Sequence, residues 1–146
     1  MADFATGLRI SASGLSAQRL RMNTISSNIA NINTTRTPEG GPYRRKDVVF
    51  ESMPDARNFG ELVTTPPNDN FQRVQVTDIH VDEKGVDLRY EPDHPDANEE
   101  GYVAYPKINL MEEMANMIQA TRSYEANVSA IQAQKDMALG ALEIGR

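Results

Sequence analysis

The 146-residue chain has two histidines and 21 acidic residues, and only a few of these are grouped in a way that could suggest proton transfer or metal binding. The candidates are His80, His94 and the acidic run Glu91, Asp93, Asp96, Glu99 and Glu100. A catalytic histidine needs a nucleophile or an orienting carboxylate at a defined spacing, and neither histidine has such company or metal-ligand spacing. Both read as ordinary residues of a strand and a loop. The acidic run has the charge to attract calcium, but it lacks the alternating ligands and central glycine of an EF-hand loop. It reads as a solvated loop. With no cysteine in the chain, disulfides, thiolate zinc sites and cysteine nucleophiles are excluded. We therefore expect no enzyme activity, no metal and no cofactor.

Other patterns carry recognition rather than catalysis. Asn33-Thr34-Thr35 and Asn127-Val128-Ser129 match a glycosylation acceptor, but both fall at or within helical patterns and read as chance. Met111, Met114 and Met117 have the adaptable side chains of promiscuous binding faces, although their spacing suits a helix seam. Arg44, Arg45 and Lys46 precede a strand pattern and are followed at once by Asp47. They form a solvated edge or an ion-pair strip against acids of a neighbouring molecule.

Composition narrows the partners. A net charge of −6 leaves no basic tract to offset a phosphate backbone, which argues against nucleic acid. Hydrophobic residues make up 39% of the chain, so any single core is small. No apolar run approaches the ~18 residues of a membrane span, so no membrane insertion is expected. The opening residues MADFATGLRISASGLSAQ lack the basic and apolar regions of a Sec signal. The expected location is the cytosol, or outside it by a route that reads no such peptide. A chain without cysteine also suits passage into an oxidising space.

These residues are distributed over three kinds of sequence. Residues 1–33 carry Asp3 against Arg9, Arg19 and Arg21; residues 34–106 are strongly acidic; residues 107–146 are nearly balanced. In the first region Leu8, Leu15, Met22 and Ile29 recur every seven residues, with Phe4, Ile25 and Ile32 at complementary positions, interrupted by Ser11 and Gln18. In the last, Leu110, Met117, Tyr124, Ile131 and Ala138 form one series, and Met114, Thr121, Val128, Lys135 and Leu142 the other. A helix is expected over about 107 to 143. Between them, YRRKDVVF (43–50), FQRVQVTDIHV (71–81), Val86 to Tyr90 and GYVAY (101–105) read as strands. Val74 and Val76 share one parity and Ile79 and Val81 the other, which requires a bulge near Thr77–Asp78. DEKG (82–85) reads as the turn of a hairpin joining the second and third strands. TRTPEGGP, TTPPNDN and EPDHPDANEEG read as loops.

The fold expected is α+β: long N- and C-terminal helices pairing as an antiparallel coiled-coil hairpin (1–33 and 107–146), with a small β-rich middle domain (34–106). A helix of about 30 residues is roughly 45 Å long. It outreaches any body that the middle segment can supply, so the helices must pack on each other and on partners. The stretch MNTISSNIANINTT (22–35) carries this conflict. Its isoleucines fall on one face, Asn28 lies on the flank, and Asn23 and Asn31 project from the other side, where amides would meet neighbouring helices.

ASGLSAQRLRMNTISSNIANINTT, with Asn28, Ala30, Asn31 and Thr34 in an N-x-A-N-x-x-T element, resembles the N-terminal signature of the bacterial flagellar axial proteins, the rod and hook family. NLMEEMANMIQATRSYEANVSAIQAQKDMALGALEIG resembles that family's closing helix. TPEGGPYRRKDVVF, the YEPDHP and ANEEGYV segment and MIQATRSYEANV resemble its proximal rod members. Hook and distal rod proteins have larger middle domains than this chain has room for.

The resemblance implies a structural subunit of a hollow, torque-transmitting shaft around an export channel in the periplasm. It also implies export by the flagellar type III apparatus without a cleaved signal. Partners would be further copies, other proximal and distal rod proteins, and the rod's junction to the export gate. The expected seam is Leu8, Leu15, Met22, Ile25, Ile29, Ile32, Leu110, Met114, Met117, Tyr124, Val128, Ile131 and Leu142. Asn23, Asn28, Asn31, Arg44, Arg45 and Lys46 are the expected contacts between subunits. The competing reading is a soluble helical-hairpin adaptor whose β-module binds a partner in the cytosol.

Overall fold

The computed structural model describes residues 2–54 and 72–144. The loop read in TTPPNDN and the first residue of FQRVQVTDIHV lie outside them. Among the described residues six elements follow in chain order: α1 (Ala2–Ala30), β1 (Lys46–Pro54), β2 (Gln72–Val81), β3 (Val86–Tyr90), β4 (Tyr102–Pro106) and α2 (Leu110–Ile144). Two long terminal helices enclosing short antiparallel strands make the fold α+β, as expected.

Both helices have defined ends near the strands. Asn109 caps α2, its Oδ1 accepting the Met111 amide at 3.1 Å, and Glu112 and Glu113 in the first turn complement the helix dipole. α1 ends where Asn31 turns its side chain back: Nδ2 donates to the Ser27 carbonyl at 2.8 Å, and Oδ1 accepts the Thr34 hydroxyl at 3.1 Å. The helix therefore closes at Ala30, and residues 31–33 form a turn.

α1 and α2 run antiparallel in a fixed register. A side chain built at Gly7 would meet Gln134, one at Gly14 would meet Asn127, and Asn28 bonds Glu113. Seven residues along one helix thus match seven back along the other. The adjoining face of α1 carries the β1–β2 sheet, with the Ser13 hydroxyl accepting the Val74 amide at 3.1 Å. β1 and β2 pair antiparallel, Val49 opposite Asp78 and Phe50 opposite Val76, so Thr77 is the extra residue of a bulge. The parity change read in the sequence has this cause.

β2 and β3 do not form the expected hairpin. β2 pairs with β1, and β3 pairs with β4 in a separate two-stranded sheet. The DEKG segment turns the chain from one sheet to the other. Asp82 accepts the Lys84 amide at 3.1 Å, its own amide donates to the Arg45 carbonyl at 2.9 Å, and the Gly85 carbonyl accepts the Lys107 amide at 2.9 Å. Backbone groups that a hairpin would pair across its strands are thereby committed elsewhere. In the β3–β4 sheet Val103 is fully buried, and Arg89 lies over the Tyr105 ring at 4.7 Å.

Candidate functional site

The most completely bonded cluster lies where α1 ends, β1 begins and α2 starts. Asn28 is 1% exposed and uses all of its hydrogen-bonding capacity. Its Nδ2 donates to the Lys46 carbonyl at 2.8 Å and to Glu113 Oε2 at 3.1 Å. Its Oδ1 accepts the Lys46 amide at 3.0 Å and the Tyr43 hydroxyl at 3.1 Å. The side-chain amide thus pairs with both backbone groups of one residue, as a neighbouring strand would. Tyr43 also meets the Ser27 hydroxyl at 3.2 Å.

Glu113, likewise 1% exposed, completes the cluster through a 2.8 Å ion pair with Arg45 Nε. Burial on its own would lower the Arg45 pKa. The hydrogen bond and charge of Glu113, together with the charges of Asp47 and Glu112, outweigh it, so the guanidinium is held above its ordinary value. A buried charge pair adds little net stability over an apolar substitute, but loss of one partner is costly. Its role is therefore to specify how the three elements meet.

The rest of the α1–α2 seam is small and polar. Along α1 it presents Gly7 and Gly14, then Asn28; along α2 it presents Gln134, Asn127, Ala120 and Glu113. Added Cβ atoms at Gly7 and Gly14 would lie 2.9 Å and 3.1 Å from those amides, so glycine there sets the helix separation. Met22 Sδ meets the Thr121 hydroxyl at 3.6 Å. The Oε1 atoms of Gln18 and Gln134 are buried and find no hydrogen-bond partner among the described residues.

Of the expected seam residues, Ile25 is buried, and Leu8, Leu15, Met22, Ile29, Ile32, Met117, Tyr124 and Ile131 are half-buried. Leu110, Met114, Val128 and Leu142 are exposed and do not lie between α1 and α2. The second series of α2 sits one residue earlier, on Glu113, Ala120, Asn127 and Gln134, because glycines on α1 admit small and polar side chains where a hydrophobic pattern seeks aliphatics.

The expected contacts between subunits divide similarly. Asn23 is exposed and Asn31 is engaged in ending its own helix. Asn28 and Arg45 are bound within the chain, contrary to expectation: the turn after α1 brings Lys46 and Glu113 onto the flank where Asn28 points. Arg44 donates to the Glu83 carbonyl, and the Lys46 ammonium lies 5.7 Å from the Tyr43 ring centre. Sequence reading missed Tyr43 and Glu113. The available signal was the spacing of Asn28, fourteen residues after Gly14 and twenty-one after Gly7.

The described residues contain no cluster of metal ligands and no helix long and apolar enough to cross a membrane. What the arrangement can do is hold two long helices and two small sheets in one relation while leaving much of α2 uncovered. The family description "Flagella basal body rod protein" matches residues 8–36, and "Flagellar basal body rod FlgEFG protein C-terminal" matches residues 99–144. The chain is 42% identical to the flagellar basal-body rod protein FlgC of Borreliella burgdorferi, over 95% of each chain. It is 42% identical to FlgC of Bacillus subtilis, over 95% of this chain and 96% of that one, and 39% identical to FlgC of Aquifex aeolicus, over 94% and 93%. The chain belongs to the flagellar basal-body rod protein family. It is a structural protein of the rod, not an enzyme.

Proposed function

We propose that the protein is a subunit of the proximal rod, joining further copies and other rod proteins through its terminal helices around the export channel. The observation that carries this reading, beside the family, is the α1–α2 seam. It is too small and polar to bury the apolar side chains of α2, of which Met114 and Leu142 stay 48% and 69% exposed. A helix with one face covered and another apolar face open needs a second partner.

In this reading residues 1–33 and 107–146 act as one coiled-coil unit and residues 34–106 as a middle unit. Asn23 and Lys46 face neighbouring subunits. The chain passes through the flagellar type III apparatus unfolded, without a cleaved signal, and the far end of the hairpin orders as subunits join in the periplasm. Neighbours include the distal rod and the junction to the export gate.

The test is to delete the chain from its bacterium and restore it with a tag. Cells without it should be non-motile, and purified basal bodies of the restored cells should contain it with its N-terminus intact. Normal motility without the chain refutes the reading. The adaptor alternative predicts that both chain ends resist protease in dilute monomer; the rod reading predicts that residues 2–18 and 127–144 are cleaved first.

A further inference from the structure

A groove of about 420 Å³ opens between α1 and β2, away from the Asn28 cluster. Ser13, Ser16, Ala17 and Leu20 form its helical wall, and Arg73 and Gln75 stand on the strand side. The four α1 residues are spaced i, i+3, i+4 and i+7, the pattern of the hole into which a facing element sets one side chain. Three of them are small, which keeps the hole open. The Ser13 hydroxyl is already committed, accepting the Val74 amide at 3.1 Å and donating to the Ile10 carbonyl at 2.7 Å. The Ser16 hydroxyl and the Gln75 side-chain amide make no hydrogen bond among the described residues.

Arg73 decides what the groove takes. Its Nε atom is buried and finds no acceptor among the described residues. It has no ion pair there either: Glu51, the acid across the strand pair opposite Gln75, is exposed and stays unpaired. A buried donor without an acceptor is destabilising, the more so on a charged group. No acid lines the groove, so each of its unused polar side chains can donate and the only charge is positive. The matching group is acceptor-only and negative, a carboxylate, which can take a charge-assisted bond from the guanidinium and a second from Ser16 or Gln75.

We propose that this groove receives an aspartate or glutamate side chain of an adjoining rod subunit, whose carboxylate accepts the Arg73 Nε hydrogen bond. The proposal rests on the rod reading and names the chemistry of one joint within it. An arginine that served only the fold of its own chain would have its acceptor in that chain. Arg73 is held beside an open hole without one, as a joint made on assembly requires.

Two measurements separate a joint from a structural role. In the purified chain Arg73→Met removes an unpaired buried donor, so the urea midpoint should stay within about 0.3 M of its original value or rise. In cells the same variant should reduce swarm diameter at least about twofold, and Arg73→Lys, which keeps the charge, should recover part of the loss. A lowered midpoint, or full motility of Arg73→Met, overturns the proposal. Coverage is read separately with a thiol. The chain has no cysteine of its own, so Ser16→Cys gives it a single label site. A maleimide should modify Cys at that position in the monomer and at least about fivefold more slowly in intact basal bodies.

The source of the carboxylate is read from motile revertants of Arg73→Glu. A change of an acid to lysine or arginine in another rod protein, or in this chain outside residues 51–71, supports the joint. Revertants confined to position 73, or to Glu51, Asp55, Glu61 or Asp69 of the same chain, place the partner within the chain and overturn it. Basal bodies that contain the chain with an unshielded thiol overturn the joint alone, and basal bodies that lack the chain overturn the rod reading with it.

Discussion

Replacing Asn28 by alanine tests whether the buried amide holds the three elements together. The change removes hydrogen bonds of 2.8, 3.0, 3.1 and 3.1 Å and leaves the Lys46 amide and carbonyl without their partners. Each buried polar group left unsatisfied costs about 1–3 kcal/mol. Tyr43 retains Ser27 and Glu113 retains Arg45, so the two Lys46 groups and the small cavity dominate. The expected loss is about 3–5 kcal/mol, roughly a fifth or more of the stability of an ordinary domain of about 5–15 kcal/mol.

Urea unfolding of the purified chain, followed by the fluorescence of its tyrosines in the absence of any tryptophan, should show the midpoint falling by about 2 M for a slope near 2 kcal/mol/M. Asn31→Ala is the control. It loses bonds to Ser27 and Thr34 near the surface, where water substitutes, and should cost about 1 kcal/mol. Equal losses for the two variants, or less than about 1 kcal/mol for Asn28→Ala, would refute the assignment.

Asn28→Asp sharpens the test, since it sets a second carboxylate against Glu113 across a 3.1 Å contact. It should cost at least as much as alanine. Adding Glu113→Gln in the same chain returns a donor to that contact and should recover about 1–2 kcal/mol.

Four further outcomes follow from the same geometry. Arg45→Met should cost about 2–4 kcal/mol by leaving Glu113 charged and short of a partner, and Arg45→Met/Glu113→Gln should cost less than the two changes summed, in a double-mutant cycle. Gly14→Leu should leave the Asn28 cluster intact but part the helices at Asn127, costing about 1–3 kcal/mol, with hydrogen exchange rising first in residues 4–18 and 127–144. Ile25→Ala, at a buried position, should cost about 2–4 kcal/mol by urea titration. The bond from the Tyr105 hydroxyl to Glu91, with burial and the Glu91 charge behind it, raises the Tyr105 pKa. The native hairpin therefore keeps this proton longer than the unfolded chain does, and the contribution is present below the ordinary tyrosine value near 10 and lost as pH rises through the raised one. Absorbance titration of Glu91→Ala should show that tyrosine ionising at lower pH.

The helices, the four strands and the bulge at Thr77 were legible because each follows from local periodicity. Pairing was less so. DEKG has hairpin composition, but whether its backbone bonds go to a partner strand or to Arg45 and Lys107 depends on residues far away in sequence. The seam was misread on α2 for a related reason. Hydrophobic patterning assumes that the face toward a partner helix is the apolar one, and glycines on α1 reverse that rule locally.

That reversal follows from how such a chain must be made. A hairpin whose two helices buried all their aliphatic side chains against each other would be complete alone, and its outer faces would have nothing to offer a neighbour. This chain instead fastens one end of the hairpin through Asn28, Glu113 and Arg45, groups that fix geometry by direction. It runs the other end on glycine and unsatisfied amides and turns Met114, Val128 and Leu142 outward. If that division is the functional one, Gln134→Leu should strengthen the seam within the subunit by removing the unpaired Oε1 atom, yet slow rod growth by favouring the closed hairpin before joining. A more protected monomer with unchanged or faster rod assembly would show that the weak seam has no part in assembly.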